Sequence, residues 1–278
     1  MNKISSILLL LTLLIISACS STTKEVCSSL KFNKIVIDTT YHMMNKTNNP
    51  AIKIKLDIEF PSAFTNKSDL QKIQNVILSS ITGDVKTTEE KENLHKFVEK
   101  WINDYKANES DYTKMVDTMR SEETAPMAFN WEYQTSGKSI YCQNGILCYE
   151  IQNYSYTGGA HGSTITKYMN LDLSREKVLQ LSDIFTEDYN SQLTPIIIDN
   201  LEKNNKVESK EDLENIGFFD TEEIHPIDNF IIGDKGLTFV YDQGSIAAYA
   251  LGAIKVFIPY EDLKFALRPN SSISEMLQ

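Results

Sequence analysis

Ile52-Lys53-Ile54-Lys55-Leu56-Asp57-Ile58-Glu59-Phe60 decides the fold class of this chain. Apolar and charged side chains alternate at period two, so one face meets a core and the other meets solvent, as in a half-buried strand. Lys34 to Tyr41 is expected as its antiparallel neighbour, with Asn45 to Pro50 turning the chain between them. The period then changes. Leu70, Ile73, Ile77 and Ile81 fall on one helical face behind a Ser68/Gln71 capping box, and Gly83 stops the run. A second box, Thr87 with Glu90, opens a helix whose stripe is Leu94, Phe97, Val98, Trp101 and Tyr105, resumed at Tyr112, Met115 and Met119. Trp101 on that stripe reads as core.

Strands return after Pro126: Phe129, Trp131 and Tyr133 alternate, Asn144-Gly145 marks a hairpin, and a later strand covers Ile165 to Leu173. Ser182 to Phe185 reads as a helical turn, Tyr189 to Asn204 as a helix, and Lys210 to Asn215 as a short one. Pro195 is tolerable in that helix only if it sits in the first turn, where a missing N–H costs nothing. Asn229 to Ile232, Gly236 to Tyr241 and Ile254 to Pro259 are the last strands, before Glu261 to Leu267. Strands segregated from helices predict an α+β fold, not a doubly wound sheet: antiparallel sheets with helices packed on one face, in two closely associated subdomains.

The N-terminus is a leader. Lys3 precedes the mainly apolar run Ile4 to Ile16, which ends in Ser17-Ala18-Cys19. A cation, an apolar core and small residues make a secretory signal over 1–18, too short for a span, which takes about 20 apolar residues. The cysteine at the cut site resembles a bacterial lipoprotein signal, with Cys19 as the lipidation residue and 19–31 as a polar tether. The implied location is the bacterial cell envelope, lipid-anchored. Ser20 is not the Asp that commonly retains such proteins at an inner membrane, so the outer membrane is expected in a host with two. Losing Lys3 with the leader takes the side-chain charge from −11 to −12. That balance argues against nucleic acid, which rewards clustered Lys and Arg.

With Cys19 lipidated, Cys27, Cys142 and Cys148 remain in a disulfide-permissive compartment. A loop centred on Gly145 puts Cys142 opposite Cys148, and that bridge is expected. A strict two-residue Asn-Gly turn instead pairs Cys142 with Leu147 and misplaces the thiols. Cys27 is then a free thiol or the partner of one of the pair.

The string Tyr154-Ser155-Tyr156-Thr157-Gly158-Gly159-Ala160-His161-Gly162 is the most distinctive feature of the folded part. Its glycines permit positive φ and close approach, while two tyrosines and an imidazole could anchor a partner. Tyr154, Tyr156, Gly158, Gly159 and His161 are the candidate binding residues. A tight connection with His161 on a backbone group is the plainer reading. His42, His95 and His225 are isolated, so no metal pair is suggested and no cofactor is expected. No Gly-x-Ser-x-Gly elbow, Walker loop or dinucleotide fingerprint occurs.

Tyr-x-Gly-Gly-Ala-His-Gly at 156–162 is similar to a motif of the extracellular domain family shared by the anti-sigma factor RsiV and the peptidoglycan deacetylase PdaC. Asn170-Leu171-Asp172-Leu173, Leu181-Ser182-Asp183-Ile184-Phe185 and Val256-Phe257-Ile258-Pro259-Tyr260 resemble its later elements. The resemblance implies a PdaC-type α+β domain over 32–160 and an RsiV-type α+β domain over 161–278. PdaC's hydrolysis belongs to a separate metal-dependent domain whose Asp-Asp and His-x-x-x-His signatures are absent here. The resembling domain of RsiV binds lysozyme. The implied function is therefore a non-catalytic envelope lipoprotein that binds a lysozyme-like protein or peptidoglycan. The alternatives are an envelope hydrolase with His161 as general base, and a structural or assembly lipoprotein.

Overall fold

A computed structural model describes residues 26–65, 67–83, 90–118 and 127–277. The expected leader, Cys19, Thr87 of the second capping box and Met119 lie outside the described residues.

The alternating segment is a strand, β2 (Ala51–Ala63), antiparallel to β1 (Lys31–His42), with Ile35 opposite Ile58 and Tyr41 opposite Ile52. Helices α1 (Lys67–Thr82), α2 (Glu90–Lys106) and α3 (Glu109–Thr118) then carry the chain back to where it began. β3 (Trp131–Gln143) therefore joins β2 in parallel, Trp131 opposite Ile52, because a crossover of that length is what parallel pairing requires. β4 (Ile146–Tyr156), β5 (Ser163–Asp172) and β6 (Lys177–Leu179) complete a six-stranded sheet in sequence order, antiparallel from β3 onward. α1 starts at Lys67, one residue ahead of the expected cap Ser68, and Gly83 follows it at φ +78.

Period-two alternation sorts the sheet's two faces. Ile54, Leu56, Ile58, Tyr149 and Ile151 point at the helices and meet Ile77, Leu94, Val98 and Tyr105 in one core. Each fully buried Ile or Leu there contributes about 1.5–3 kcal/mol. The opposite face carries Lys34, Lys55, Gln134 and Gln152 over part of β1 to β4.

The remainder of the chain builds on that opposite face. α4 (Leu181–Ile184), α5 (Tyr189–Asn205) and α6 (Lys210–Asn215) precede a three-stranded antiparallel sheet of β7 (Phe230–Ile232), β8 (Gly236–Tyr241) and β9 (Ile254–Pro259). Short helices α7 (Tyr260–Leu263) and α8 (Ser272–Met276) close the chain. Leu193, Ile197 and Leu201 of α5 pack on Phe230, Phe239, Val256 and Ile258, a second core. Cys148, Tyr168 and Val240 form a small third cluster where the two sheets meet. Pro195 is the seventh residue of α5, so the helix accepts it beyond the first turn, against the sequence reading. The helix keeps its register past it, with Leu193, Ile197 and Leu201 all buried on one side.

Two asparagines fasten the sheets. Buried Asn170 donates to Phe230 O at 2.7 Å and accepts from Ile232 N at 3.0 Å, giving the edge of β7 the partner a strand would supply. Asn229 accepts from Tyr168 N at 2.8 Å and donates to Thr166 O at 2.8 Å. The 160/161 position falls in the β4–β5 connection, and the large sheet runs through it.

The expected Cys142–Cys148 bridge is not formed. Cys142 bonds Cys27 at the helical turn over 26–29, with Cα atoms 5.7 Å apart, and Cys148 is a buried free thiol. The hairpin turn is the strict two-residue kind, with Asn144 at φ 51 and Gly145 at φ 76. Cys142 consequently faces Leu147, on the helix side, while Cys148 faces Tyr141 on the other. Burial pushes the Cys148 thiol up to about 12, which makes it inert.

Candidate functional site

β4 ends in the glycine string, and strand parity places Tyr154 and Tyr156 on the face away from the helices. Gly158 and Gly159 take φ +92 and +103, the left-handed region that glycine enters without strain. A Cβ on Gly158 would fall 2.5 Å from the Ala128 carbonyl, and one on Gly162 would fall 2.5 Å from the Tyr154 ring. The backbone thus lies directly on its neighbours at both points. The Tyr156 hydroxyl donates to Gly159 O at 3.0 Å and holds the bend.

His161 is exposed. Its ring lies against Tyr249, centroids 4.4 Å apart and planes 28° from parallel. The Tyr249 hydroxyl donates to Gly162 O at 2.7 Å, and His161 Nδ1 sits 3.1 Å from the same carbonyl. A general base would face a carboxylate or hydroxyl. This imidazole faces the backbone and an aromatic ring, as the plainer reading of a tight connection expects.

Tyr154 connects the loop to a concavity. Its ring is the end wall of a groove of about 380 Å³ across the polar half of the large sheet, where Lys34, Lys55, Gln134, Lys138 and Gln152 also line the surface. Lys34 pairs with Asp57 at 3.0 Å and Lys138 with Glu150 at 3.0 Å. Ser139 N donates to Glu59 at 3.2 Å. The groove is therefore an amide, hydroxyl and paired-charge surface with an aromatic at one end. A second concavity of about 450 Å³ lies on the small-sheet side, with Phe219, Ile224, Val240 and Ile246 in its wall.

All five sequence-predicted binding residues fall in or beside this loop. Tyr249 joins His161 in this arrangement, and no local spacing signals it, since 87 positions separate it from the carbonyl it holds. The groove residues were also missed. Their signal was the charged half of the alternating strand, which by itself reads as a solvated face. Among the described residues no group of three or more His, Cys, Asp or Glu is placed to hold a metal ion. No helix among them is long and apolar enough to cross a membrane.

Two family models match in this order along the chain: "Deacetylase PdaC" over residues 45–164 and "Protein of unknown function (DUF3298)" over 182–261. The peptidoglycan-N-acetylmuramic acid deacetylase PdaC of Bacillus subtilis (strain 168) is 28% identical over 177 residues, which are 63% of this chain and 35% of that protein. The chain thus spans about a third of that relative's length. A DUF3298-family crystal structure from Bacteroides fragilis superposes with a TM-score of 0.83 at 27% identity, covering 89% of this chain and 97% of that one. A second, from Pseudomonas aeruginosa PAO1, shares the fold at a TM-score of 0.58 and 18% identity, covering 86% and 95%. The chain thus resembles the PdaC-like domain family, with a match to a PdaC-type domain followed by a match to a DUF3298 domain.

Proposed function

We propose that the protein is a cell-envelope binding module, held by lipid at Cys19, whose ligand lies in the polar groove and against the His161–Tyr249 platform. The carrying observation is the exposed imidazole stacked at 4.4 Å on Tyr249 beside backbone carbonyls, with Tyr154 linking it to the groove. Amides, hydroxyls and a tyrosine face suit a cell-wall glycan, and the relative named above is a peptidoglycan deacetylase. A lysozyme-like protein is the other ligand in view, favoured by the side-chain charge of −12 that remains once Lys3 leaves with the leader (−11 for the full chain), which would steer a basic partner inward.

Co-sedimentation with purified peptidoglycan and pull-down of lysozyme, both at physiological salt, separate the two. Binding to peptidoglycan that falls about tenfold or more in His161→Ala and Tyr249→Ala is expected. Binding to lysozyme alone would replace the glycan by a protein ligand. No binding to either, or binding by both variants equal to that of wild type, overturns the assigned contact. Acetate release from peptidoglycan that stops in His161→Ala would favour the hydrolase instead.

A further inference from the structure

We propose that β1 is a docking edge for a second copy of this chain, paired antiparallel about Val36. The large sheet has two edges of unequal kind. β6 is three residues long, whereas β1 runs for twelve and stands at the end of the strand order. Proteins usually blunt such an edge with charged side chains, lysine above all, or with proline, bulges or short length. Here β1 contains no proline, and its one irregularity falls between Lys31 and Phe32, leaving Asn33 to His42 regular.

The side chains of that edge are complementary to themselves. Directly opposed residues of an antiparallel pair share a face of the sheet, so a two-fold axis perpendicular to the sheet has to pass through a residue pair. Centred on Val36, that axis sets Lys34 opposite the second copy's Asp38, and Asp38 opposite its Lys34. Val36 meets its own copy. It is 54% exposed in the middle of the strand, although it is apolar and flanked by charges. On the helix face, Ile35 falls opposite the other Ile37. Both are only half-buried here, while Leu56 and Ile58 beside them on β2 are fully covered. Further out, Asn33 meets Thr39 and Phe32 meets Thr40. Lys34 also pairs with Asp57 of its own chain at 3.0 Å, so the second copy's Asp38 would join an existing ion pair on that face and complement charges that would repel an arbitrary strand. The second copy continues the sheet and covers the half-buried isoleucines.

Thiol crosslinking of the full chain tests both the contact and its register. Cys19 is changed to Ser throughout, Cys27 and Cys142 are joined and Cys148 is buried, so the Cys19→Ser chain is the blank to which each substitution is added. With a short bifunctional thiol reagent, Val36→Cys is expected to give a dimer on non-reducing electrophoresis. Thr40→Cys should not, since the two cysteines would stand about 27 Å apart at about 3.4 Å per residue. Adding Asp38→Lys to Val36→Cys opposes Lys to Lys twice and should cut the dimer about tenfold. Adding Lys34→Asp as well restores both pairs and should restore the yield. Retention of the Cys27–Cys142 bridge by mass mapping shows that each variant is folded. A folded Val36→Cys chain that stays monomeric overturns the proposal. So does equal crosslinking of Val36→Cys and Thr40→Cys, indifference to Asp38→Lys, or failure of the charge swap to rescue.

Discussion

The His161 imidazole lies on the Tyr249 ring, centroids 4.4 Å apart, with both side chains aimed at one carbonyl, that of Gly162. A residue inside the stretch that matches the PdaC model is thereby held by one inside the stretch that matches the DUF3298 model. The stack predicts ring-current-shifted imidazole protons in His161. Tyr249→Phe keeps the ring and loses one hydrogen bond worth about 1 kcal/mol, so the shift should persist. Tyr249→Ala should abolish it. An unshifted His161 spectrum in wild type would contradict the stacked loop.

The disulfide joins positions 115 residues apart, and a closed loop of that length stabilises by about 4–5 kcal/mol on chain entropy. Cys27→Ser and Cys142→Ser should each lose stability of that order in urea titration. Cys148→Ala should lose about 1–2 kcal/mol, a small cavity between the sheets. Peptide mapping should recover a 27–142 crosslink, with Cys148 alkylated only after unfolding. A 142–148 crosslink would refute the hairpin register.

Asn170 supplies both bonds that a missing strand would give β7. Asn170→Ala orphans a buried carbonyl and a buried N–H, at about 1–3 kcal/mol each. Thermal unfolding should show a loss of about 2–5 kcal/mol, with hydrogen exchange accelerated first in Phe230 to Ile232. A loss below 1 kcal/mol would mean that packing, not this amide, joins the sheets.

Asp172 holds the C-terminal helix. Burial alone pushes its carboxyl up, but the Ser272 hydroxyl, the Arg175 guanidinium and the Arg175 N–H together hold it below the ordinary range. A carboxylate lowered in the folded state stabilises above its unfolded value of about 3.9, and that contribution disappears as pH falls through the folded value. Stability should therefore drop in acid below about pH 4, with α8 released together with its Arg175–Glu275 pair. Asp172→Asn should cost about 1–3 kcal/mol at neutral pH and flatten the acid limb of the stability profile. An unchanged acid limb would assign that limb to other carboxylates.

Local periodicity carried most of the elements. The nine-residue alternation from Ile52 to Phe60, the stripe from Leu94 to Tyr105 and the segment Lys210–Asn215 were legible because covalent spacing alone decides which side chains share a face. The glycine string was legible for a related reason: positive φ at Gly158 and Gly159 is a property of single residues. What depended on contacts distant in the chain could not be read. Parity along β4 allowed either partner for Cys142 until the Asn144-Gly145 turn set the register and turned Cys148 to the other face. Parallel pairing of β2 with β3 followed from where three helices returned the chain. Tyr249 became a site residue only when the small sheet docked through Asn170 and Asn229. Spacing in the chain determines faces and turns; which face meets which is decided by packing across tens of residues.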